Sequence, residues 1–284
     1  MGKHFIPQRY LRRFAVIDDP DHIWMYDKKA KLFIKAAIKK VAQQARFYDE
    51  DTEKQLNEQV ERPGNRVFSK FISDQPIDAK DRIDAAVYMA TMYARVPKRR
   101  TEITKMVPSA AEKVLSELAS AMNDWIKTNP DPQLVERRLK EMEEVSRKVR
   151  ADPIKGAVVD LIRSPWASQR IIRTIASMCW RIGRASVPHF FMTSDNPVHF
   201  FKGLGLANTR SELTFPISAE FALYASWRGE TGATMAFNAP ASLVKECNRR
   251  VAFEATRFVF SPKRESWIDT IANKSKPFFS EIRW

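Results

Sequence analysis

The stretch Ile23-Trp24-Met25-Tyr26-Asp27-Lys28-Lys29-Ala30-Lys31-Leu32-Phe33-Ile34 decides how the chain can fold. Two runs rich in aromatic and β-branched residues flank a polar segment, Asp27 to Ala30, that has the composition of a turn. This pattern predicts a β-hairpin within the first fifty residues. Aspartate is common in turns, so a structural role for Asp27 is favoured over a role as a catalytic acid.

The middle of the chain has a helical pattern. From about residue 51 to residue 185, apolar residues recur mostly at spacings of three and four, which is the period of an α-helix. Asp78 is suited to cap one helix, and Pro97 is expected to kink or end it. Pro63-Gly64 is expected to break or kink another helix. Further helices are expected over residues 112–128, 132–150, 152–163 and 168–184.

A β pattern follows Val187, where short apolar runs alternate with turn residues. The predicted strands are 188–192, 198–201, 213–217, 221–227, 234–237 and 257–260, and the predicted helices are 241–255 and 265–272. The chain is therefore expected to be α+β. A helical bundle (residues 51–186) is inserted between a short N-terminal β unit (residues 1–50) and a C-terminal mixed β-sheet (residues 187–284). We expect the two β regions to pack together in one compact unit.

Composition excludes several classes of protein. With 44% hydrophobic residues and 18 Phe, the chain can bury a sizeable core and is not expected to be disordered. The two cysteines, Cys179 and Cys247, exclude a disulfide framework and a cysteine-rich zinc site. The chain has no run of roughly 18 apolar residues and no apolar signal segment at its N-terminus. We therefore expect a cytoplasmic protein that does not contact membranes, and its oligomeric state stays open.

The charge of the chain bears on its partners. The formal net charge is +14 at pH 7, from 48 Lys and Arg against 34 Asp and Glu. A surplus of this size favours DNA or RNA as a partner, although basic residues also coat ordinary solvated faces. Basic side chains concentrate in the first 41 residues and again in a knot formed by Arg95, Lys98, Arg99, Arg100 and Lys105.

Two short blocks, residues 4–14 and residues 193–198, are dense in side chains that can do chemistry. His4 is suited to acid or base catalysis because the unperturbed pKa of histidine is about 6.5. Asp195 and Glu61 could ligate Mg²⁺ or Mn²⁺, since such ions accept a few carboxylates together with water. If the two β regions pack together, His4 and Asp195 could share one site.

Further polar residues could contact the phosphate oxygens of a substrate. These candidates are Gln8, Arg9, Arg95, Asn196, Lys98, Arg99 and Arg100.

The same blocks have structural alternatives. His4 could simply hydrogen-bond a backbone carbonyl, and residues 194–197 could form only an Asx-type turn. Arg95 could pair with Glu61 in the interior. Tyr10, Leu11 and Phe14 are interpreted as core anchors, and His189 and His199 as packing or surface residues.

Taken together, these blocks resemble the uncharacterised bacterial domain-of-unknown-function family 4238. The similarity extends over nearly the whole chain and lies in residues 4–14, 23–28, 60–61, 95–97, 191–198, 215–218, 248 and 252–260. Pro63-Gly64 departs from the uninterrupted helix that the resemblance implies after Glu61. The resemblance implies membership of the family and little about activity.

The residues favour an enzyme that acts on nucleic acid, an endonuclease or a ribonuclease. In this hypothesis His4 is the general acid or base, Asp195 and Glu61 bind metal or water, and Arg9 and Arg95 clamp phosphate. A metal-free ribonuclease would need only His4 and the arginines. The motifs of serine hydrolases, zinc enzymes and Rossmann enzymes are missing. A role in phage defence or as a toxin is a further hypothesis.

Three alternatives stay open. The chain could be a basic module that binds nucleic acid without cleaving it, in which case affinity would fall steeply with salt. It could be an enzyme that acts on a nucleotide or another small anionic ligand. It could also be a protein-interaction component that docks a partner through the charged helix at residues 136–150.

Overall fold

The structure is a computed structural model that describes residues 2–45, 50–129, 131–151, 169–201 and 203–274. The helices in these ranges are α1 (Gln8–Leu11), α2 (Glu50–Leu56), α3 (Arg62–Ile72), α4 (Ala79–Arg95), α5 (Pro97–Thr128), α6 (Pro132–Ala151), α7 (Gln169–Ser177), α8 (Ala241–Glu254) and α9 (Trp267–Lys274). The helix predicted over residues 152–163 falls on residues that the structure does not describe.

The strands are β1 (Gly2–His4), β2 (His22–Asp27), β3 (Leu32–Ala37), β4 (Gln43–Ala45), β5 (Cys179–Ala185), β6 (Thr193–Ser194), β7 (His199–Phe200), β8 (Glu212–Pro216), β9 (Phe221–Ser226), β10 (Thr234–Ala239) and β11 (Phe258–Ser261). Helices occupy the middle of the described chain, and strands lie toward both of its ends. The predicted α+β class is confirmed.

The predicted N-terminal hairpin is confirmed. Strands β2 and β3 pair antiparallel from His22 opposite Ala37 to Asp27 opposite Leu32. β2 also pairs with β11, which in turn pairs with β6, so that the sheet order is β3-β2-β11-β6. Strands from the two ends of the chain therefore share one sheet. The carboxylate of Asp27 accepts hydrogen bonds from two N–H groups of the turn and forms an ion pair with Arg257. Asp27 therefore has a structural role.

The second sheet has the order β10-β5-β9-β8-β7, with β10 parallel to β5 and the other pairs antiparallel. The prediction of helix over residues 168–184 is wrong in its second half. The helix ends at Ser177, and Cys179–Ala185 forms the strand between β9 and β10. Five of its seven residues are buried, so it lacks the polar alternation that marks a half-exposed strand.

The predicted strand at residues 188–192 is also wrong. The backbone here is hydrogen-bonded to a side chain, because Asn248 of α8 donates to the carbonyl of Phe190 and accepts from the N–H of Met192. The N–H of Phe191 donates to the carbonyl of Ala219. Side-chain partners thus replace the strand partner that the apolar run led us to expect. The remaining predicted strands occur with shifted ends, and the helix predicted over residues 265–272 is Trp267–Lys274.

Pro63-Gly64, which was predicted to break or kink the helix, does not break it. The chain stays helical from Glu50 to Ile72, and a π-helical segment at Asn57–Glu61 immediately precedes α3. Proline lacks an N–H and crowds the carbonyl four residues earlier, and the wider π-turn relieves this conflict. What the structure contains near Pro63 is a local widening of the helix, the π-helical segment that ends at Glu61.

Gly64 allows α3 and α4 to approach closely. A Cβ atom built on Gly64 would lie 2.5 Å from Cδ2 of Tyr88, whose ring is buried. We expect Gly64→Ala to lower the free energy of unfolding by about 1–3 kcal/mol, because overpacking forces the two helices apart. Urea denaturation measures the change. Gly203→Ala is the matched control, since its Cβ would meet no described atom within 4 Å. Equal stability of the two variants would contradict this close packing.

The helix ends in the middle of the chain follow the sequence. Asp78 caps α4 by accepting a hydrogen bond from the N–H of Asp81 at 2.7 Å, as predicted. α4 ends at Arg95, and Pro97 begins α5, which confirms that a helix ends there. Since α5 spans Pro97–Thr128, it is longer than the helix predicted at residues 112–128. No helix among the described residues is long and apolar enough to cross a membrane.

The N-terminal block is anchored in the core. Tyr10, Leu11 and Phe14 have no exposed surface, which confirms their predicted role. The hydroxyl of Tyr10 donates to the carbonyl of Pro216 at 2.9 Å and contacts Oγ1 of Thr193 at 2.7 Å. The segment that carries His4 is thereby fixed to the strands of both larger sheets.

Candidate functional site

A cavity of about 630 Å³ opens between the N-terminal segment and the helical segment that starts at Glu50. The N-terminal segment contributes His4, Pro7, Gln8, Arg9 and Arg12 to its lining, and the helical segment contributes Glu50, Glu53, Lys54, Asn57 and Glu61. We call it the His4 cavity. Its volume is typical of sites that hold a small molecule or part of a larger one.

Local structure places the side chains of this cavity. His4 ends β1, where it pairs with Gln43 of β4, and helix α1 begins at Gln8, directly after Pro7. On the opposite wall, Asn57 and Glu61 begin and end the π-helical segment. Such segments are rare and recur at functional sites because they turn side chains to positions that a regular helix does not reach.

His4 presents one basic nitrogen within this cavity. Its Nε2 lies 3.1 Å from the amide nitrogen of Gln8, and because an amide nitrogen only donates, Nε2 is the acceptor. The backbone of Val41 also hydrogen-bonds to the imidazole. Because Nε2 accepts from Gln8, the neutral ring carries its proton on Nδ1.

The pKa of His4 is lowered from 6.5, mainly because the ring is half-buried. The hydrogen bond to Val41 opposes this shift, while Arg95 lowers the pKa further and Glu61 raises it. The ring is consequently neutral at pH 7, which is the state that a general base needs.

Glu61 and Arg95 form an ion pair beside His4. Oε1 of Glu61 accepts from Nη1 of Arg95 at 2.9 Å, and Arg95 is only 1% exposed. The structural alternative for this pair, an interior ion pair, is the arrangement observed. Arg95 is buried and is not among the residues that line the cavity, so its direct contact with phosphate stays a prediction.

The charged side chains that line the His4 cavity are of both signs. Arg9, Arg12 and Lys54 are exposed cations, and Glu50, Glu53 and Glu61 are the carboxylates of the same lining. Arg12 lies 3.7 Å from the exposed carboxylate of Asp21, an ion pair of small energetic weight in water. The cavity can therefore contact both anionic and cationic groups of a ligand.

Asp195 is placed elsewhere and has a different role. Its carboxylate accepts hydrogen bonds from the N–H groups of Thr256, Arg257 and Phe258 at 2.7, 2.8 and 3.0 Å. Burial raises its pKa, and the three N–H donors and Lys28 oppose that shift. Both carboxylate oxygens of Asp195 thus hold the backbone that connects α8 to β11. Asp195 does not line the His4 cavity. The hypothesis that His4 and Asp195 share one site therefore finds no support in the lining of the His4 cavity.

Two further residues that were predicted to contact phosphate, Asn196 and Lys98, both interact with Glu254. The side-chain amide of Asn196 donates to the carbonyl and to Oε2 of Glu254, both at 3.2 Å, and thereby caps the C-terminus of α8. Lys98 lies 3.4 Å from the same carboxylate. Arg99 and Arg100 lie in α5, and their side chains belong to the part that the structure does not describe.

The predicted metal ligands do not come together. Glu61 pairs with Arg95 at the His4 cavity, whereas both oxygens of Asp195 accept backbone hydrogen bonds at the start of β11. Within the described ranges, three or more His, Cys, Asp or Glu side chains nowhere form a group that could hold a metal ion. Participation of Mg²⁺ or Mn²⁺ stays a hypothesis for experiment.

Comparison with known proteins bears on the predicted resemblance. The family model described as "Protein of unknown function (DUF4238)" matches residues 3–265. The chain belongs to the DUF4238 family. A search among curated proteins and a search among solved structures each found no match. The match confirms the resemblance, and it assigns no activity to this DUF4238 chain.

The DUF4238 chain also contains a buried charged network that sequence patterns did not indicate. Arg250 is 1% exposed and donates to Glu212 at 2.8 Å, to Thr214 at 2.8 Å and to Glu246 at 3.3 Å. The spacing of four between Glu246 and Arg250 is a signal that could have revealed part of it. These bonds join α8 to the five-stranded sheet, so their role is structural.

His199 lies in β7 and is buried, which is the packing role of the two roles interpreted for it. It is 2% exposed, and its Nδ1 lies 3.4 Å from Oε1 of Glu254 at the end of α8. Burial lowers the pKa of His199, and the neighbouring Glu254 opposes that shift.

A larger cavity, about 950 Å³, lies between the α3–α4 connection and the start of β10. The buried cation in its lining is Arg82, which donates to the carbonyls of Ala176, Met178 and Ala233 and to Thr234. Its guanidinium also stacks on the ring of Trp180. Because these bonds fix Arg82 in the framework, this cavity offers less chemistry than the His4 cavity.

Proposed function

We propose that this DUF4238 protein cleaves phosphodiester bonds in nucleic acid, with His4 as the general base. The observation that carries the proposal is the state of His4. Its Nε2 lies at a cavity and carries the lone pair of the ring, which accepts from Gln8 until a substrate hydroxyl takes the place of that amide, and the ring is neutral at pH 7 because burial lowers its pKa. Few groups in proteins are both basic and neutral in this pH range.

Support for an anionic substrate comes from three cations of the His4 cavity, whose lining also contains Glu50, Glu53 and Glu61. Arg9, Arg12 and Lys54 stand at the rim of the cavity, where guanidinium groups can contact phosphate oxygens bidentately. The net charge of +14 attracts polyanions toward the protein at long range. A cytoplasmic location, where nucleic acid is present, fits this proposal.

The Glu61–Arg95 pair supports the base. The guanidinium of Arg95 helps to keep the imidazole neutral, while Glu61 can stabilise the imidazolium that forms when His4 takes a proton. The proposed proton transfer does not involve Asp195, because its carboxylate oxygens accept hydrogen bonds from backbone N–H groups.

A cleavage assay tests the proposal. Purified protein and its His4→Gln variant are incubated with labelled single- and double-stranded DNA and RNA, in Mg²⁺, Mn²⁺ or EDTA. We expect cleavage of at least one polynucleotide by the wild type and none by the variant. The EDTA lanes show whether a metal ion takes part.

Two results would overturn the proposal. Intact substrate in every lane with salt-sensitive retardation on a gel would indicate a binding module without catalysis. Neither cleavage nor retardation would point to a small anionic ligand or a protein partner instead.

The pH dependence of cleavage provides a separate prediction. The base must be neutral, and the pKa of His4 is lowered, so kcat/KM should rise with pH through a midpoint below 6.5 and level off above it. Initial rates between pH 4.5 and 8 at fixed ionic strength measure this midpoint. A midpoint above 6.5 would mean that another group titrates.

A further inference from the structure

We infer that two copies of this chain associate through the helical hairpin formed by α5 and α6, with Leu118 of each copy packed on Leu134 of the partner subunit. This inference goes beyond the proposed function and does not depend on it. It follows from the apolar side chains that the hairpin leaves exposed, from their positions and from the charge of the hairpin.

The hairpin lies outside the hydrophobic core. The core clusters of the described chain include Val96 and then continue at Ile172, and no described residue of the range 97–151 belongs to them. Helices in proteins gain most of their stability by packing an apolar face against other elements. α5 and α6 therefore have to bury their apolar faces against each other or against another molecule.

The two helices bury their shared apolar seam incompletely. Leu115 is buried, but Leu118 is 46% exposed and Leu134 is 38% exposed. A cavity of about 490 Å³ follows the seam, and Leu118, Met122 and Trp125 of α5 contribute to its lining. Two helices alone leave one side of such a seam open, and two further helices close it in a four-helix bundle. The hairpin thus presents half of such a bundle.

Leu118 and Leu134 lie on one face of the hairpin, at different heights. α5 and α6 run antiparallel, because the connection between them is short and Arg138 of α6 lies over the ring of Trp125 in α5. Leu134 precedes Arg138 by one helical turn, and Arg138 lines the cavity together with Leu118, so the two leucines share a face. Leu134 is level with Thr128, the end of α5, which places it about 15 Å from Leu118 along the hairpin.

A two-fold axis midway between these leucines makes the face self-complementary. Leu118 of one copy then packs on Leu134 of the partner subunit, and the same contact recurs on the other side of the axis. Arg138 and Glu141 are the charged side chains among the described residues that line the cavity. They lie on either side of this axis, so Arg138 comes opposite Glu141 of the partner subunit. The charges of the two copies are therefore complementary at this face.

The charge of the whole hairpin favours a second copy over nucleic acid as the occupant. Residues 112–151 contain eight Lys and Arg and eight Asp and Glu, so this segment is neutral and the surplus of +14 lies elsewhere. A neutral surface attracts a polyanion only weakly. Two copies can meet there without the repulsion that their basic surfaces would cause.

The face is large enough for a dimer. α6 is about 30 Å long and two helices side by side are about 20 Å wide, which gives about 600 Å² on each copy. Two such faces bury about 1,200 Å², the lower limit of stable interfaces. We therefore expect a dimer that dissociates on dilution.

Analytical ultracentrifugation of the full chain tests this inference. We expect a mass of twice 32.8 kDa at about 100 μM, above the micromolar dissociation constant of so small an interface, and a monomer on dilution. Leu118→Glu and Leu134→Lys should each raise the dissociation constant by more than about 10²-fold, because each homodimer would bury two unpaired charges. Leu32→Glu is the matched control, since Leu32 is 43% exposed in β3, and it should leave the dimer intact.

An equal mixture of the two variants separates a lost contact from a misfolded hairpin. In the mixed dimer one contact joins the new glutamate to the new lysine and the other joins two native leucines. The mixture should therefore dimerise although neither variant does so alone. A wild-type monomer at every concentration would overturn the inference and leave this face to a different protein partner. Dimers of either variant alone, or a mixture that stays monomeric, would overturn the pairing of Leu118 with Leu134.

Discussion

Asp195→Ala is expected to lower the free energy of unfolding by about 3–5 kcal/mol, the range for removing one partner from a buried charged arrangement. The variant leaves the N–H groups of Thr256, Arg257 and Phe258 without their acceptor in a region where Asp195 is only 4% exposed. Each orphaned buried donor costs about 1–3 kcal/mol. Urea denaturation followed by circular dichroism measures the loss.

Two further variants sharpen this prediction. Asp195→Asn keeps one acceptor oxygen but turns an amide donor toward backbone N–H groups, so its stability should lie between wild type and Asp195→Ala. Asp18→Ala is the control, since Asp18 is exposed, and its stability should change by less than about 0.5 kcal/mol. Wild-type stability of Asp195→Ala together with lost cleavage would contradict the structural role and restore Asp195 as a catalytic candidate.

The role of Asp195 shows why this part of the site could not be predicted. Its chemistry was visible in the sequence, and an Asx-type turn was recognised as the alternative. The partners that decide between a ligand and a structural anchor are about sixty residues away, at the start of β11. No local pattern reports such a partner, because it depends on how β6 and β11 pair.

The sequence predicted correctly those features that depend only on neighbouring residues. The turn between β2 and β3, the cap at Asp78 and the helix end before Pro97 each depend on residues within a few positions. The strand Cys179–Ala185 was not predicted, because its structure depends on distant residues. Its apolar residues continue the helical spacing of α7, but β9 and β10 pair with it along both of its edges and stabilise the strand.

The His4 cavity combines both kinds of information. His4, Gln8 and Arg9 were recognised from one short block, and Glu61 was proposed from another. Their meeting depends on two features: Tyr10 anchors the N-terminal block in the core, and the π-helical segment precedes Glu61. The sequence thus indicates which side chains do chemistry, whereas packing decides which of them share a cavity.

His4→Ala is expected to lower kcat/KM for cleavage by about 10²–10⁴-fold, the usual contribution of a general base. The substitution removes Nε2, the basic nitrogen that Gln8 contacts, and leaves the three cations of the lining in place. Affinity for uncleaved substrate should therefore change little, since Arg9, Arg12 and Lys54 still meet the phosphates. Initial rates and gel retardation measure the two effects separately.

Gln8→Ala is the matched variant for this experiment. It removes the amide that donates to Nε2 but keeps the base, so kcat/KM should stay within about tenfold of wild type. Its acidic limb should move upward in pH, because an amide donor to Nε2 favours the neutral ring. If His4→Ala keeps full activity, the base lies elsewhere; if it loses binding as much as turnover, His4 is a binding residue. A selective loss of turnover in His4→Ala, with a shifted profile in Gln8→Ala, would place proton transfer at Nε2.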